Sequence, residues 1–428
     1  MPTKAENLKI AMETFLDLPD IEIQDVSEDR DGNYMITAIS TKEGTECHKC
    51  GNRIEKAYGY SEWITLRHLP VFGREVYIRM RLPRYQCTRC DGNPTTTQSL
   101  SWFERRSSHT KAFEERVLLA CVNSTISDVA RKEGLGYEAV QGIIDRNIEK
   151  EVNWETIRRL DVVGIDEISL KKGHSDFVAI VTGRMGEELT ILGVVKGRMK
   201  SDIKQFFLSM PKRLRRTVRY VCSDMYEGFI NAAKEVFGRK VRIVADRFHV
   251  AKLYRDGFET LRLKELRRLK RELPPTEYKE LKGAMWALRK KEAALTEGEK
   301  VTLDKLFTHS PILKEAYVFR DELTALFDQD LTRAQAKRRL NGWMARVKCS
   351  AIRCFDHVMK TFKTRIDEIT NYFVERHTSG FVEGLNNKIK VIKRRCYGIL
   401  NTGHLFQHIY LDLFGYSLYG RTIKALRG

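Results

Sequence analysis

The sequence predicts a multidomain α/β protein, because segments of three different kinds follow one another along its 428 residues. Two Cys-x-x-Cys pairs lie in a β-rich amino-terminal segment. Short apolar runs then alternate with helical patterns, and a long, strongly charged helical stretch follows them. A chain of this length exceeds a single hydrophobic core, so we expect more than one domain.

The charge balance favours a polyanionic partner. Lysine and arginine total 76 against 57 acidic residues, a formal net charge of +19, and the pI is near 9.5. Nucleic acid is the commonest such partner. A ribosomal or membrane-surface protein would share this balance, but here the charge is dispersed over a globular composition. No run approaches a membrane span, and the amino terminus lacks the apolar core of a signal peptide, so we expect a cytoplasmic protein.

The amino-terminal segment predicts a structural zinc site. Two Cys-x-x-Cys knuckles flank a β-rich stretch: Cys47, Cys50, Cys87 and Cys90. This arrangement closes a tetrahedral thiolate site with no open position. Disulfides are the alternative, which a cytoplasmic basic protein disfavours. His48 or His68 could also replace one of the cysteines as a ligand.

A helix-turn-helix is predicted over residues 126–143, after a polar and turn-rich linker. Ala130, Gly134 and Leu135 stand where the motif needs a small contact residue, a turn and a core anchor. An unrelated two-helix hairpin would show the same apolar spacing. If the second helix reads DNA, these side chains would approach it: Tyr137, Glu138, Gln141 and Arg146.

Residues 159–172 read as one buried strand that carries a carboxylate, Asp166. A turn or cap at a strand end would explain a lone aspartate, whereas a metal ion would offset the cost of burying one. Two more β-rich runs follow, then a helix with Ser201 as its N-cap, a fourth strand before Asp224, a second helix and a fifth strand. This order is that of the ribonuclease-H-like fold, in which the first and fourth strands are neighbours. Asp166 and Asp224 should therefore meet around a hard cation such as Mg²⁺.

A third carboxylate is expected from a helix near the carboxyl end. Apolar residues repeat at helical spacing from Phe381 to Cys396, which leaves Glu383 on a different face. Basic residues that suit a phosphodiester backbone follow it: Lys388, Lys390, Lys393, Arg394 and Arg395. An ordinary solvated helix face would show the same pattern.

Two further residues follow the fifth strand, in the sequence DRFH. Asp246 and His249 are close enough to the predicted site to touch metal, substrate or a catalytic carboxylate. A structural histidine is the default interpretation. His174 is another candidate for the same kind of role.

Residues 251–372 predict a long helical insertion. Its basic stretches are separated by Pro274-Pro275, which should break a helix. Basic helical faces can follow phosphates, although most of them are only solvated. Trp286 and Trp343 could stack on an exposed base, and packing in a core is the alternative.

The chain resembles the ISL3 family of bacterial insertion-sequence transposases in its paired cysteines and in four stretches: VVGIDEISLKKGH at 162–174, VCSDMYEGFI at 221–230, VADRFHVAK at 244–252 and TSGFVEGLNNKIKVIKRRCYG at 378–398. The order and spacing of these motifs are more specific than any one of them. The resemblance implies a DDE-type transposase whose acids are Asp166, Asp224 and Glu383.

The resemblance also implies a reaction and a set of partners. The enzyme would cleave the element ends and join the 3′-hydroxyl ends to target DNA by two-metal phosphoryl transfer with Mg²⁺ or Mn²⁺. The zinc ribbon and the helix-turn-helix would bind the terminal inverted repeats, and a homodimer or larger assembly would hold both ends. In a bacterium, the DNA-bound protein would be associated with the nucleoid. The rival functions are a DNA-binding regulator without chemistry and a structure-specific nuclease.

These features predict five segments along the chain. Residues 1–100 form a β-rich zinc-ribbon domain and 101–155 the helix-turn-helix domain. Residues 156–250 form the first part of a ribonuclease-H-like catalytic domain, 251–372 the helical insertion, and 373–428 the closing helices of the catalytic domain.

Overall fold

The computed structural model describes residues 4–16, 18–170, 177–185, 188–375, 388, 391–392, 394–395, 399 and 401–420. The chain divides into two compact units, Met1–Ile148 with Tyr410–Gly428, and Glu149–Ile409. The five predicted segments are finer than these units and stay predictions. Among the described residues, no helix combines the length and the apolarity that crossing a bilayer requires.

The first unit contains three β-sheets and a group of helices. Its described elements are α1 (Lys4–Leu16), β1 (Ile21–Glu28), β2 (Tyr34–Ser40), β3 (Thr45–Glu46), β4 (Arg53–Ile54), β5 (Ala57–Tyr60), β6 (Ile64–Val71), β7 (Arg74–Met80), β8 (Pro83–Gln86), β9 (Thr95–Thr97), α2 (Lys111–Cys121), α3 (Ile126–Glu133) and α4 (Tyr137–Asn147). The largest sheet has the order β1-β2-β7-β6. Alternate residues of β7, among them Val76 and Ile78, are buried with Leu66 and Trp102 in one core.

Two smaller sheets carry the cysteine knuckles. One pairs β3 with β4, and the other has the order β5-β8-β9. Ile54 and Tyr85 pack with Cys47 and Cys87 in a small core of their own. A core of this size gives little hydrophobic stabilisation, so a bound metal is expected to hold these strands together.

The helix-turn-helix forms from α3 and α4, as predicted. Thr125 caps α3, since its side chain accepts a hydrogen bond from the backbone N–H of Asp128. Gly134 ends the helix at φ +61°, a left-handed conformation that glycine adopts without strain. The last described helix, α17 (Thr402–Tyr419), contributes Leu411 to the core formed by α2, α3 and α4.

One threonine joins the large sheet to α2. The hydroxyl oxygen of Thr110 accepts a hydrogen bond from Phe113 N at 3.3 Å, which caps α2. The same oxygen lies 2.9 Å from Nδ1 of His68 in β6. Burial lowers the pKa of His68 to about 4, so its ring is neutral at pH 7. Arg67, beside it in the strand, stacks on the ring of Phe113 at 4.7 Å.

The second unit contains a five-stranded mixed sheet. Its elements are β10 (Val162–Ser169), β11 (Phe177–Met185), β12 (Glu188–Lys196), α5 (Lys200–Ser209), α6 (Lys212–Arg215), β13 (Tyr220–Ser223), α7 (Glu227–Phe237) and β14 (Arg242–Ala245). The sheet order is β12-β11-β10-β13-β14. The pairs β12–β11 and β11–β10 are antiparallel, whereas β10–β13 and β13–β14 are parallel.

Both faces of β10 are covered, as its apolar run predicts. Val163 and Ile165 pack in one core with Phe207 of α5 and Phe229 of α7. Val162 packs in a second core on the opposite face. The N-cap prediction was wrong by two residues: α5 begins at Lys200 with Met199 as its N-cap, and the side chain of Asp202 accepts the bond from Met199 N.

A series of helices follows the sheet and supplies the second core. They are α8 (Arg247–Glu272), α9 (Pro275–Glu280), α10 (Ala284–Ala287), α11 (Glu297–His309), α12 (Pro311–Asp328), α13 (Arg333–Cys349), α14 (Asp356–Thr364), α15 (Ile366–Thr370) and α16 (Tyr372–Glu375). The break predicted at Pro274-Pro275 separates α8 from α9. Trp343 is buried in this core, and its indole N–H donates to Phe319 O at 2.9 Å. Trp286 is exposed.

Trp343→Ala should lower the free energy of unfolding of the second unit by about 3–5 kcal/mol, the usual cost of truncating a large buried aromatic side chain. Trp286→Ala is the matched control, since that side chain is 61% exposed. The control should change stability by less than about 0.5 kcal/mol. Urea unfolding followed by circular dichroism measures both, and equal losses would contradict the core assignment of Trp343.

Candidate metal and catalytic sites

The four cysteines of the two knuckles converge on one point. Their sulfur atoms all lie within 4.8 Å of one another. Cys47 Sγ is 4.0 Å from Cys90 Sγ, and Cys50 Sγ is 3.8 Å from Cys87 Sγ. Four sulfur atoms around a tetrahedral zinc are about 3.8 Å apart, because each Zn–S bond is about 2.3 Å. The cysteines therefore fit zinc as a closed, structural set.

A tight turn orients the first knuckle toward this point. Gly51 N donates to Cys47 O at 2.8 Å, and Gly51 has φ +70°. The backbone N–H of Asn52 lowers the pKa of Cys50 to about 6, whereas the hydrogen bond with Cys50 raises that of Cys90 to about 12. A bound cation favours the thiolate form of all four sulfur atoms.

The two histidines considered as replacement ligands have other partners. His48 Nδ1 lies 2.9 Å from the hydroxyl of Thr96. His68 bonds to Thr110 in the buried contact that joins β6 to α2. The cysteine set is complete without them.

Three aspartates occupy one level of three neighbouring strands in the second unit. Ile165 of β10 pairs with Ser223 of β13, and Ser223 pairs with Ala245 of β14. Each of these residues is followed directly by an aspartate: Asp166, Asp224 and Asp246. Asp246 N donates to Ser223 O at 2.9 Å, so the parallel pairing continues to this level. Neighbouring strands lie about 4.8 Å apart, which brings Asp224 beside both other acids.

The local reason for an aspartate differs among the three. Asp166 is buried in the interior of β10 rather than at a strand end, so a turn or cap does not explain it. Asp224 Oδ1 accepts a hydrogen bond from Tyr226 N at 3.0 Å, ahead of α7. Asp246 caps α8, because its Oδ1 accepts from Phe248 N at 2.8 Å. The sequence predicted only a supporting role for Asp246. The signal for its place in the row is that β13 and β14 are both followed directly by an aspartate.

The row of acids carries excess negative charge. Burial raises the pKa of Asp224, and the negative charges of Glu167 and Asp246 raise it further. The hydrogen bond from Tyr226 N–H and the charge of His249 lower this pKa, but the net shift is upward. His249 Nδ1 lies 3.3 Å from Asp246 Oδ2. Burial by itself lowers the pKa of His249, but the carboxylates of Asp246, Asp166 and Asp224 outweigh it, and the net shift is upward. Such a site stabilises a cation.

The described acids do not complete a metal site by themselves. In the part of the chain that the structure describes, the four cysteines are the one group of three or more candidate ligands whose atoms all lie within 4.8 Å of one another. Glu383, the predicted third acid, lies outside the described residues, as do His174, Lys390 and Lys393. Of the predicted phosphate-binding bases, Arg394 is exposed, and Lys388 and Arg395 are half-buried.

Two of the DNA-reading side chains predicted on α4 have structural partners. Gln141 is buried, and its Nε2 donates to Asp145 Oδ1 at 2.9 Å. Arg146 forms an ion pair with the buried Glu114 at 2.5 Å. The Arg146 contact joins α4 to α2, whereas the Gln141 contact lies within α4. DNA reading by these two residues stays a prediction. Tyr137 and Glu138 are exposed at the start of α4.

Comparison with known proteins finds relatives of every part of this architecture. The DDE model of family ISL3, described as a transposase, matches residues 163–409. A model described as the helix-turn-helix domain of transposase family ISL3 matches 98–146, and one described as the zinc-finger of transposase IS204/IS1001/IS1096/IS1165 matches 43–90. The predicted helix-turn-helix and zinc ribbon are thereby confirmed.

Two curated relatives match most of the chain. The transposase for insertion sequence element IS1001 of Bordetella parapertussis is 26% identical over 364 residues, which cover 85% of this chain and 87% of the relative. The transposase for insertion sequence element IS1557 of Mycobacterium tuberculosis is 23% identical over 433 residues, 93% of each chain.

Replacing both Cys47 and Cys87 by serine should release about one zinc per chain and unfold the small sheets, because structural zinc contributes folding free energy directly. Elemental analysis of the purified protein measures the metal. Cys349→Ser is the control, since Cys349 is exposed and far in sequence from the knuckles, and it should retain the zinc. Stoichiometric zinc in the double variant would contradict the four-cysteine assignment.

Proposed function

The chain belongs to the ISL3 transposase family, and from this membership we propose that it binds the terminal inverted repeats of an insertion sequence, cleaves the element ends and joins their 3′-hydroxyls to target DNA. The observation that carries this proposal is the position of Asp166 beside Asp224, at one level of two parallel strands. Two carboxylates so placed, with Asp166 buried and Asp224 half-buried, repel each other unless a cation lies between them.

A ribonuclease-H-like fold for residues 156–250 is part of the proposal. It is supported by the sheet order β12-β11-β10-β13-β14, in which an antiparallel meander leads into two parallel strands. Helices α5 and α7 pack on one face of this sheet. The helices from α8 to α16 would then form an insertion that precedes Glu383 in the chain.

The acids have the chemistry needed to hold magnesium. Asp166, Asp224 and Glu383 would bind it, and Asp246 would keep His249 beside the other carboxylates. When bound, Mg²⁺ or Mn²⁺ supplies Lewis-acid activation of water and charge stabilisation at the leaving oxygen. The protein's own contribution is to place the phosphodiester: basic residues 388, 390, 393, 394 and 395 would hold the backbone next to the acids.

DNA recognition would fall to the first unit. The zinc ribbon and the helix-turn-helix would bind the inverted repeats, with Tyr137 and Glu138 at the exposed start of α4 as the nearest side chains. Joining two element ends requires both in one complex, so we propose a homodimer or larger assembly on DNA. In a bacterial cell, the protein would work in the cytoplasm, associated with the nucleoid.

Glu383→Ala should bind element-end DNA with near wild-type affinity yet neither nick nor join it in Mg²⁺ or Mn²⁺, because a missing carboxylate misplaces the ions while the DNA-binding elements stay intact. Asp246→Ala should retain slow cleavage, about 10 to 100-fold below wild type, by analogy with groups that orient metal ligands. Gel-shift and strand-transfer assays on labelled linear DNA measure both properties.

Asp256→Ala is the matched control for these variants. It removes an exposed carboxylate from α8, the helix that Asp246 caps, and should cleave normally. If Asp246→Ala is inactive while Glu383→Ala cleaves at the wild-type rate, the active site consists of the three aspartates in the row. Binding without cleavage by the wild type would favour a regulator, and cleavage without joining a nuclease.

A further inference from the structure

An aromatic–arginine surface lies on the first unit, in the stretch of chain between the two cysteine knuckles. We define it by Tyr60, Trp63, Arg79 and Arg81. Tyr60 is 57% exposed and Trp63 is 47% exposed. The Arg81 guanidinium lies 4.6 Å from the Tyr60 ring and 5.5 Å from the Trp63 ring, and that of Arg79 lies 4.9 Å from the Trp63 ring.

Strand pairing creates this surface. Thr65 of β6 pairs with Arg79 of β7, and Ile64 pairs with Met80, so Trp63 and Arg81 come next on the two strands. Leu66, Ile78 and Met80 point into the core, and side chains between them therefore point outward. Further along β6, Arg67 is covered by α2 through its contact with Phe113. The aromatic–arginine surface is the end of this face that α2 leaves open.

The two arginines lack acidic partners. In the described ranges, no carboxylate lies within ion-pair distance of Arg79 or Arg81, although the structure contains many such pairs elsewhere. Arg74, at the start of the same strand, provides the contrast. It stacks on Tyr34 at 5.1 Å, but it also pairs with Glu28 at 3.4 Å. The positive charge of the aromatic–arginine surface is therefore available to an anionic ligand.

Ring stacking prepares these guanidinium groups for phosphate. An aromatic ring contacts the flat face of the guanidinium and leaves the N–H groups at its edge free to donate. Phosphate oxygens accept such donors in pairs, and a stacked side chain loses less conformational entropy on binding than a free one. A second copy of this chain fits the surface poorly, because each copy carries a net charge of +19.

We propose that the aromatic–arginine surface binds the phosphate backbone of duplex DNA, as a contact separate from the helix-turn-helix and from the cysteine cluster of the zinc ribbon. The surface and the helix-turn-helix belong to the same compact unit, so a duplex bound by one is held near the other. This inference rests on the proposed function, because it assigns part of the DNA affinity of the same enzyme. It adds affinity without sequence preference, since phosphate contacts carry no base information.

Salt dependence of DNA binding tests the inference in the full-length protein. The probe is a 30-bp duplex of random sequence, and fluorescence anisotropy gives its Kd at several salt concentrations. Removing two phosphate contacts in an Arg79→Ala, Arg81→Ala double variant should reduce the slope of log K against log salt by about 1.8, because each contact contributes about 0.9. Arg74→Ala removes a stacked but acid-paired arginine, and it should leave the slope unchanged.

Two further variants separate stacking from charge and from misfolding. Arg79→Lys with Arg81→Lys keeps both charges, so the slope should stay while the affinity falls severalfold. Trp63→Ala should likewise weaken binding without changing the slope by a full contact. Zinc content and thermal unfolding should match the wild type in each variant, which shows that the unit is folded.

Several outcomes would overturn the inference. An unchanged slope in the double alanine variant would show that these arginines do not touch phosphate. An equal change in Arg74→Ala would show a general charge effect instead of a site, and altered self-association in place of altered DNA affinity would assign the surface to a second copy. Failure of the wild type to bind any duplex would instead contradict the proposed function, so the two failures are distinct.

Discussion

Repulsion among carboxylates that the sheet holds at one level is the constraint on which the second unit depends. Parallel pairing of β10, β13 and β14 fixes Asp166, Asp224 and Asp246 next to one another, and the covered faces of the sheet keep water from dispersing their charge. Burial and the neighbouring carboxylates raise the pKa of Asp224, and the carboxylates of Asp246, Asp166 and Asp224 raise that of His249 against the opposing effect of burial. A divalent cation, as proposed for this site, would offset the repulsion among these carboxylates.

The zinc ribbon needs a metal ion for a different physical reason. Its sheets are short and bury few apolar side chains, so they cannot fold on hydrophobic burial alone. Bonds from the cysteine sulfur atoms to zinc would supply the stability that a larger hydrophobic core would otherwise give. Zinc would hold the fold of the ribbon together, whereas the proposed Mg²⁺ or Mn²⁺ would offset the repulsion among the carboxylates.

Residues whose role follows from spacing could be predicted from the sequence. The knuckle cysteines converge because their spacing and turns are local, and β10 is buried on both faces as its apolar run indicates. Residues whose role depends on three-dimensional neighbours could not. The DNA-reading roles of Gln141 and Arg146 stay predictions, but the spacing did not indicate that Arg146 pairs with the buried Glu114 of α2. The position of Asp246 in the row follows from the register of β13 with β14, which the sequence does not specify. The N-cap of α5 is Met199 and not Ser201, because the side chain of Asp202 accepts a hydrogen bond from Met199 N–H.

The position of Thr110 has a consequence for the exchange of domains between related transposases during evolution. Its hydroxyl oxygen bonds the sheet histidine His68 and caps the first helix of the following domain, and Arg67 adds a stacked contact across the same joint. The ribbon and the helix-turn-helix match separate family models, yet His68 and Arg67 of the first contact Thr110 and Phe113 of the second. If recombination joined the zinc ribbon of another transposase to this helix-turn-helix, the contacts would form only where His68, Arg67 and Thr110 had counterparts. The two segments should therefore be inherited together.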